Sequence, residues 1–136
     1  MWETFVEHKN VESIMHDKGL AKVGDGLVNF CYSLAKSLVL GQATGEKVRD
    51  SVLARAIRST SVYHYMNRRT DAGRAADAYE AIMAYLWMTE KITISDMVDS
   101  LSESLKITSI TSRKKEGVIA AVAFQKFLES NIDNLP

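Results

Sequence analysis

Proline occurs in this chain only at Pro136, the last residue, so no internal position carries this strong helix breaker. Glycine, which also interrupts helices, occurs only seven times. Elsewhere apolar residues recur every three or four positions over long stretches, a pattern typical of amphipathic helices. The sequence therefore predicts an all-α fold of about seven helices, in a single domain of residues 1–136 that is long enough to bury a core.

Two of the predicted helices are strongly apolar. One covers residues 20–40, and the other covers residues 71–89, begins at the capping residue Asp71 and contains the stretch AADAYEAIMAYLW. Weaker signals predict a helix over residues 2–16 and one over residues 47–59, the latter capped by Thr44. Charged residues inside the two apolar helices are the first candidates for a functional site.

Asp77 and Glu80 interrupt the apolar helix at residues 71–89. Because they are three residues apart, their side chains share one helix face and lie close together. Two carboxylates in an apolar setting need a proton, a basic partner or a divalent cation. Taken alone, such a pair is more typical of an exposed stripe, paired here with Arg69 or Arg74.

Asp25 stands between Gly24 and Gly26 in the other apolar helix. Glycine inside a helix is unfavourable by about 1 kcal/mol relative to alanine, so two of them predict the close approach of a helix, a partner subunit or a ligand. A helix crossing with Asp25 facing water is the simpler interpretation. If Asp25 instead joins Asp77 and Glu80, two helices provide three carboxylates, a set that suits Mg²⁺ or Mn²⁺.

The formal net charge is zero, with 17 basic and 17 acidic residues, so binding of nucleic acid requires a local basic surface. Basic residues are concentrated in the middle of the chain, where binding to RNA phosphates would depend on salt. A solvated helix face explains them equally well. The candidate RNA-binding residues are Arg49, Arg55, Arg58, Arg68, Arg69 and Arg74, and a second basic run is Arg113, Lys114 and Lys115.

The single cysteine, Cys31, excludes an internal disulfide and fits a reducing compartment. The first ten residues, MWETFVEHKN, contain acids where a secretory signal begins with basic residues. No stretch has the length and apolarity of a membrane span. We therefore expect a cytoplasmic protein that does not bind membranes.

Three segments together resemble the catalytic domain of the ribonuclease III family, over roughly residues 15–90. VGDGLV at residues 23–28 resembles the family's LGDAVL core, and SVLARAIRS at residues 51–59 resembles its middle helix. ADAYEAIMAYLW at residues 76–87 resembles its second acidic motif. Their order and spacing fit the family, so the resemblance predicts a ribonuclease III-like helical domain.

The resemblance implies a Mg²⁺-dependent endoribonuclease that cuts double-stranded or structured RNA and works as a homodimer. It assigns catalysis and the binding of Mg²⁺ or Mn²⁺ to Asp25, Asp77 and Glu80. It also implies that the helix with the first motif packs against a partner subunit. The candidate dimer-interface residues are Gly24, Gly26 and Leu27.

Two features depart from the usual family pattern. Ala21 stands where the first motif usually has a glutamate, as it does in the reduced form called Mini-III. No double-stranded-RNA-binding domain follows, so we expect a compact member of the Mini-III or archaeal type. These departures leave open a catalytically inactive RNA-binding or dimerisation module, and a helical interaction domain without an RNA role is a third possibility.

Overall fold

The computed structural model describes residues 1–67 and 69–136. All regular structure in these ranges is helical, which confirms the predicted all-α fold. Three short 3₁₀ helices lie at Glu3–Val6, Ser61–Tyr65 and Ile132–Asn134. Within the described ranges, no helix has the length and apolarity needed to cross a membrane. The α-helices are α1 (Val11–Met15), α2 (Lys18–Leu40), α3 (Asp50–Arg58), α4 (Ala72–Met88), α5 (Ile94–Ser104) and α6 (Arg113–Asn131).

The described residues form six α-helices and three 3₁₀ helices, and two of the predicted helices differ in their bounds. Residues 2–16 divide into a 3₁₀ helix and α1, because the Asn10 side chain accepts a hydrogen bond from the N–H of Ser13 at 2.8 Å and begins a new helix. Helix α3 begins at Asp50, later than predicted, and Thr44 does not cap it.

Helix α4 runs through the core and packs against α1, α2 and α3. Asp71 caps its start as predicted, because its side chain accepts a hydrogen bond from a backbone N–H in the first turn, at 2.8 Å. Tyr79 is fully buried, and its hydroxyl donates a hydrogen bond to the carbonyl oxygen of Phe124 on α6, at 2.7 Å. This packing and the Tyr79 hydrogen bond hold α4 in place, and they thereby position Asp77 and Glu80.

Helices α2 and α4 cross in close contact at Gly24, which is buried. A β-carbon on Gly24 would overlap the carbonyl oxygen of Glu80, so only glycine fits this crossing. A β-carbon on Gly26 would meet nothing within 4 Å. The sequence left open whether a helix, a partner subunit or a ligand approaches the two glycines, and at Gly24 it is the neighbouring helix α4. The same crossing brings Asp25 beside Glu80.

Residues 41–49 form an irregular strap that follows the side of α2. Asn29 and Ser33 on α2 accept hydrogen bonds from two strap N–H groups, at 2.7 Å and 3.0 Å. These bonds hold the strap backbone against α2 and explain why α3 begins late. They also place Lys47 beside Asp25.

Candidate active site

The carboxyl groups of Asp25 and Glu80 lie against each other at the crossing of α2 and α4. The Asp25 carboxylate accepts a hydrogen bond from the Glu80 carboxyl, and this bond lowers the pKa of Asp25. Asp25 also accepts hydrogen bonds from the side-chain amide of Asn29, at 3.1 Å, and from the ammonium of Lys47, at 3.3 Å. The structure thus brings together two of the three carboxylates that the sequence proposed for the site.

Glu80 is buried, with 6% of its surface exposed. Burial, the hydrogen bond to Asp25 and the charges of neighbouring carboxylates raise the pKa of Glu80 to about 8. Glu80 therefore carries a proton at neutral pH, and this proton bridges to Asp25. A buried carboxyl with so perturbed a pKa is typical of functional sites.

Asp77 lies one turn before Glu80, at the exposed edge of the same region. Partial burial raises the pKa of Asp77, and the negative charge of Asp50 raises it further. The charge of Asp25 acts in the same direction, whereas Lys18 opposes the shift. Asp77 is therefore close enough to the other carboxylates to share their electrostatic field.

Asp50, the first residue of α3, is a fourth carboxylate at this site, and the sequence pattern did not indicate it. Its Oδ2 atom lies 3.8 Å from the point that a β-carbon on Gly73, in the first turn of α4, would occupy. The charge of Asp50 raises the pKa of both Asp77 and Glu80. We name these four residues the carboxylate cluster: Asp25, Asp50, Asp77 and Glu80.

Glu46 is the only acidic residue of the strap, and its carboxylate contacts residues outside the carboxylate cluster. The ammonium of Lys36 lies 3.3 Å from Glu46 and 3.1 Å from both carboxylate oxygens of Glu116 on α6. The hydroxyl of Tyr32 donates a hydrogen bond to Glu116 at 2.6 Å. This network ties the strap to α2 and α6, while Lys47 is the strap residue that contacts the carboxylate cluster.

The carboxylate cluster provides the donor chemistry of a divalent-metal site, although its side chains do not converge on one point. Among the described residues, no three acidic, histidine or cysteine side chains lie close enough together to hold a metal ion as they stand. Four carboxylates nevertheless form an all-oxygen set of the kind that Mg²⁺ and Mn²⁺ prefer. In this structure the Asp25 carboxylate contacts the Glu80 carboxyl and the ammonium of Lys47.

Comparison with known proteins identifies the domain. The sequence model of the family described as Ribonuclease III matches residues 18–134. The chain belongs to the ribonuclease III family. A search of curated proteins finds no match. The family match confirms the predicted ribonuclease III-like domain, covers the whole carboxylate cluster, and suggests an endoribonuclease that acts on RNA.

The two basic runs of this ribonuclease III domain meet at Arg49. Its guanidinium donates a hydrogen bond to the carbonyl oxygen of Arg113, at 3.1 Å, and lies over Gly117 in the first turns of α6. The exposed residues Lys114 and Lys115 therefore lie near the start of α3. This contact brings the start of the second basic run to the start of the first.

Four other predicted RNA-binding arginines of the ribonuclease III domain lie on α3, on α4 or just before α4. Arg55 and Arg58 are exposed on α3, and Arg58 donates a hydrogen bond to the carbonyl oxygen of Thr70, at 2.7 Å. Arg69 and Arg74 are exposed before and within the first turns of α4. Arg68 lies outside the described residues.

The three predicted dimer residues face different surroundings. Gly24 is buried against α4 of its own chain, and its place at a dimer interface stays a prediction. Gly26 is exposed and Leu27 is half-buried. Leu27 belongs to an apolar row along α2, which we name the α2 stripe: Val23, Leu27, Phe30, Leu34 and Leu38.

Proposed function

We propose that this chain is a cytoplasmic, metal-dependent endoribonuclease that hydrolyses phosphodiester bonds in double-stranded or structured RNA and works as a homodimer. Membership in the ribonuclease III family supports the substrate and the reaction. The observation that carries the proposal is the contact between the Asp25 and Glu80 carboxyls, with Asp50 and Asp77 beside them. Glu80 is buried beside a second carboxylate, an arrangement that is costly in a protein interior and is typical of functional sites.

Asp25 and Glu80 are the groups that would hold Mg²⁺ or Mn²⁺ in this proposal, with Asp77 and Asp50 beside them. An ion held by these residues would supply activation of water and neutralisation of charge on the phosphate oxygens. Glu80 must release its proton, and Lys47 must leave Asp25, before both carboxylates are free to bind the ion. Lys47, whose side chain is 72% exposed, is then free to contact a phosphate of the RNA.

The α2 stripe supports the proposed homodimer. Phe30 is 53% exposed and Leu38 is 65% exposed, and both belong to one row of apolar side chains rather than standing singly. The stripe residues are spaced three or four positions apart, so they follow one side of α2 as the seam of two packed helices does. Pairing of two α2 helices would bury this stripe and bring two carboxylate clusters into one particle.

Cleavage of RNA tests the proposal directly. A long RNA duplex is incubated with the protein and Mg²⁺ or Mn²⁺, beside the variants Asp25→Asn and Glu80→Gln. We expect cleavage by the parent protein and a loss of at least about 100-fold in each variant, because each removes a ligand of the ion. The matched control is Asp99→Asn, which removes an exposed carboxylate on α5.

Retention of RNA without any cleavage by the parent protein would overturn the proposed activity in favour of a catalytically inactive module. Equal cleavage by the parent protein and both variants would identify a contaminating nuclease. Absence of RNA binding even at low salt would favour a helical interaction domain instead, since phosphate contacts are strongest under that condition.

A further inference from the structure

A cleft of about 300 Å³ opens beside Asp77, between the junction of α1 and α2, the segment after the 3₁₀ helix Ser61–Tyr65, and the start of α4. Its volume is at the lower end of the range for small-molecule sites, about 300–1,000 Å³. The cleft therefore has room for a single nucleotide-sized group, and it is too small for an RNA duplex. Because Asp77 lines it, the cleft borders one member of the carboxylate cluster.

The cleft has apolar walls and one exposed aromatic ring. Met15, Ala21 and Ala78 contribute apolar surface, and the small side chain of Ala21 leaves the space beside Asp77 open. Tyr65 lines the cleft with 53% of its surface exposed. An exposed aromatic ring of this kind is a platform on which an unpaired base can stack, whatever its sequence.

Two cations, Lys18 and Arg74, line the same cleft. Within the described residues, neither side chain forms an ion pair or a hydrogen bond. Two acids share the cleft with them: Asp17 is already engaged by His8 at 2.9 Å and by the N–H of Leu20 at 3.0 Å, and Asp77 interacts with Lys18 through its charge. Lys18 and Arg74 are therefore available to a phosphate group.

The polar side of the cleft is held in place by hydrogen bonds. Arg58 fixes the carbonyl of Thr70 at 2.7 Å, and the side-chain oxygen of Asn67 accepts a hydrogen bond from the N–H of Arg69 at 2.9 Å. The side-chain NH₂ group of Asn67 remains a donor for a base edge. Recognition groups that are already oriented lose little entropy when a ligand binds.

We propose that this cleft binds one unpaired nucleotide of the RNA substrate, next to the phosphodiester that meets the carboxylate cluster. The base lies against Tyr65, and its phosphate contacts Lys18 and Arg74. This inference rests on the proposed function in one respect, that the substrate is RNA. The protein should then prefer RNA that has a bulge or a strand end beside the cut over perfectly paired RNA.

Binding is tested with the Glu80→Gln variant, so that cleavage does not interfere. Its affinity is measured for a perfect duplex, for the same duplex with one unpaired nucleotide, and for a nucleoside monophosphate. We expect the unpaired nucleotide to raise affinity about tenfold, the effect of one base stacked on an aromatic ring. Adding Tyr65→Ala is expected to remove this gain while binding of the duplex persists, and Phe5→Ala, an exposed aromatic residue outside the cleft, is expected to keep it.

Equal affinity for the two RNAs, or an unchanged gain in the Tyr65→Ala variant, would overturn the inference. Nucleoside monophosphate bound as tightly as the bulged RNA would assign the cleft to free nucleotides and would overturn it as well. Cleavage by the parent protein is a separate measurement. If the parent protein does not cleave RNA, the proposed function is overturned. The comparison of the two RNAs tests nucleotide binding in the cleft in either case.

Discussion

The backbone of Gly24 on α2 packs directly against the backbone of Glu80 on α4, at a point where a β-carbon would overlap the Glu80 carbonyl oxygen. This contact fixes the distance between the two helices. Because Asp25 follows Gly24 in the chain, the same contact brings the Asp25 carboxylate to the Glu80 carboxyl. The geometry of the proposed site thus depends on a position without a side chain.

Replacing Gly24 by alanine should therefore separate α2 from α4. We expect Gly24→Ala to lower the free energy of unfolding by at least about 3 kcal/mol, the scale of severe overpacking in a core. Gly26→Ala is the matched control, since its β-carbon meets nothing within 4 Å and alanine favours helix by up to about 1 kcal/mol. Urea unfolding of both variants checks this, and equal destabilisation of the two would contradict the crossing described above.

The sequence predicted a close approach at the two glycines but did not distinguish their roles. Both break the same rule of helix propensity, and only the position of α4 shows that Gly24 is covered and Gly26 is open. The contact between Asp25 and Glu80 could be predicted from the sequence, because two apolar helices each contain an acid that burial alone does not explain. Their shared proton depends on burial, which the sequence does not provide.

Local sequence pattern could not predict that Asp50 lies at the site or that α3 begins at Asp50. An acid in the first turn of a helix is favoured by the helix dipole and needs no other explanation. Only the tertiary fold sets Asp50 beside Gly73, Asp77 and Glu80. The strap likewise bonds to Asn29 and Ser33, partners distant enough in sequence that helical periodicity does not indicate them.

The raised pKa of Glu80 predicts a loss of stability as pH rises. Below the ordinary glutamate value of 4.5, both folded and unfolded chains bind the proton. Between 4.5 and about 8 only the folded chain keeps it, so the free energy of unfolding falls with increasing pH, by at most about 1.4 kcal/mol per unit. Above about pH 8 neither chain binds this proton, so Glu80 no longer changes the free energy of unfolding with pH. Urea unfolding across this range, without divalent metal, measures the slope.

Glu80→Gln is the control for that slope, because its amide can donate to Asp25 at every pH and has no proton to lose. We expect the variant to match the parent protein near pH 4.5 and to be more stable at pH 8. A parent protein whose stability does not change between these values, or a variant with the same slope as the parent, would show that Glu80 is ionised in the folded chain.

Asp50→Asn tests whether the fourth carboxylate takes part in binding a cation. Removing one negative charge from the carboxylate cluster should weaken Mn²⁺ binding about 10- to 100-fold, the usual effect of losing a supporting group of a metal site. Thermal stabilisation by added Mn²⁺ measures this, with Asp99→Asn on α5 as the control. An identical Mn²⁺ response in the parent protein and the Asp50→Asn variant would exclude Asp50 from the site.

The α2 stripe predicts the oligomeric state. Phe30→Glu places a charge in the middle of the stripe, so we expect a dimeric parent protein and a monomeric variant in sedimentation velocity. Val122→Glu on α6, where the side chain is 40% exposed, is the matched control and should stay dimeric. A monomeric parent protein at micromolar concentration, or a dimer that withstands Phe30→Glu, would contradict the proposed interface.

The most direct measurement is a crystal structure of the protein soaked in Mn²⁺ at a pH above 8, where Glu80 has lost its proton. We expect an anomalous peak in contact with both the Asp25 and the Glu80 carboxylates, and a Lys47 side chain that has moved away from Asp25. Absence of a peak at these two groups, with Lys47 still bound to Asp25, would contradict it.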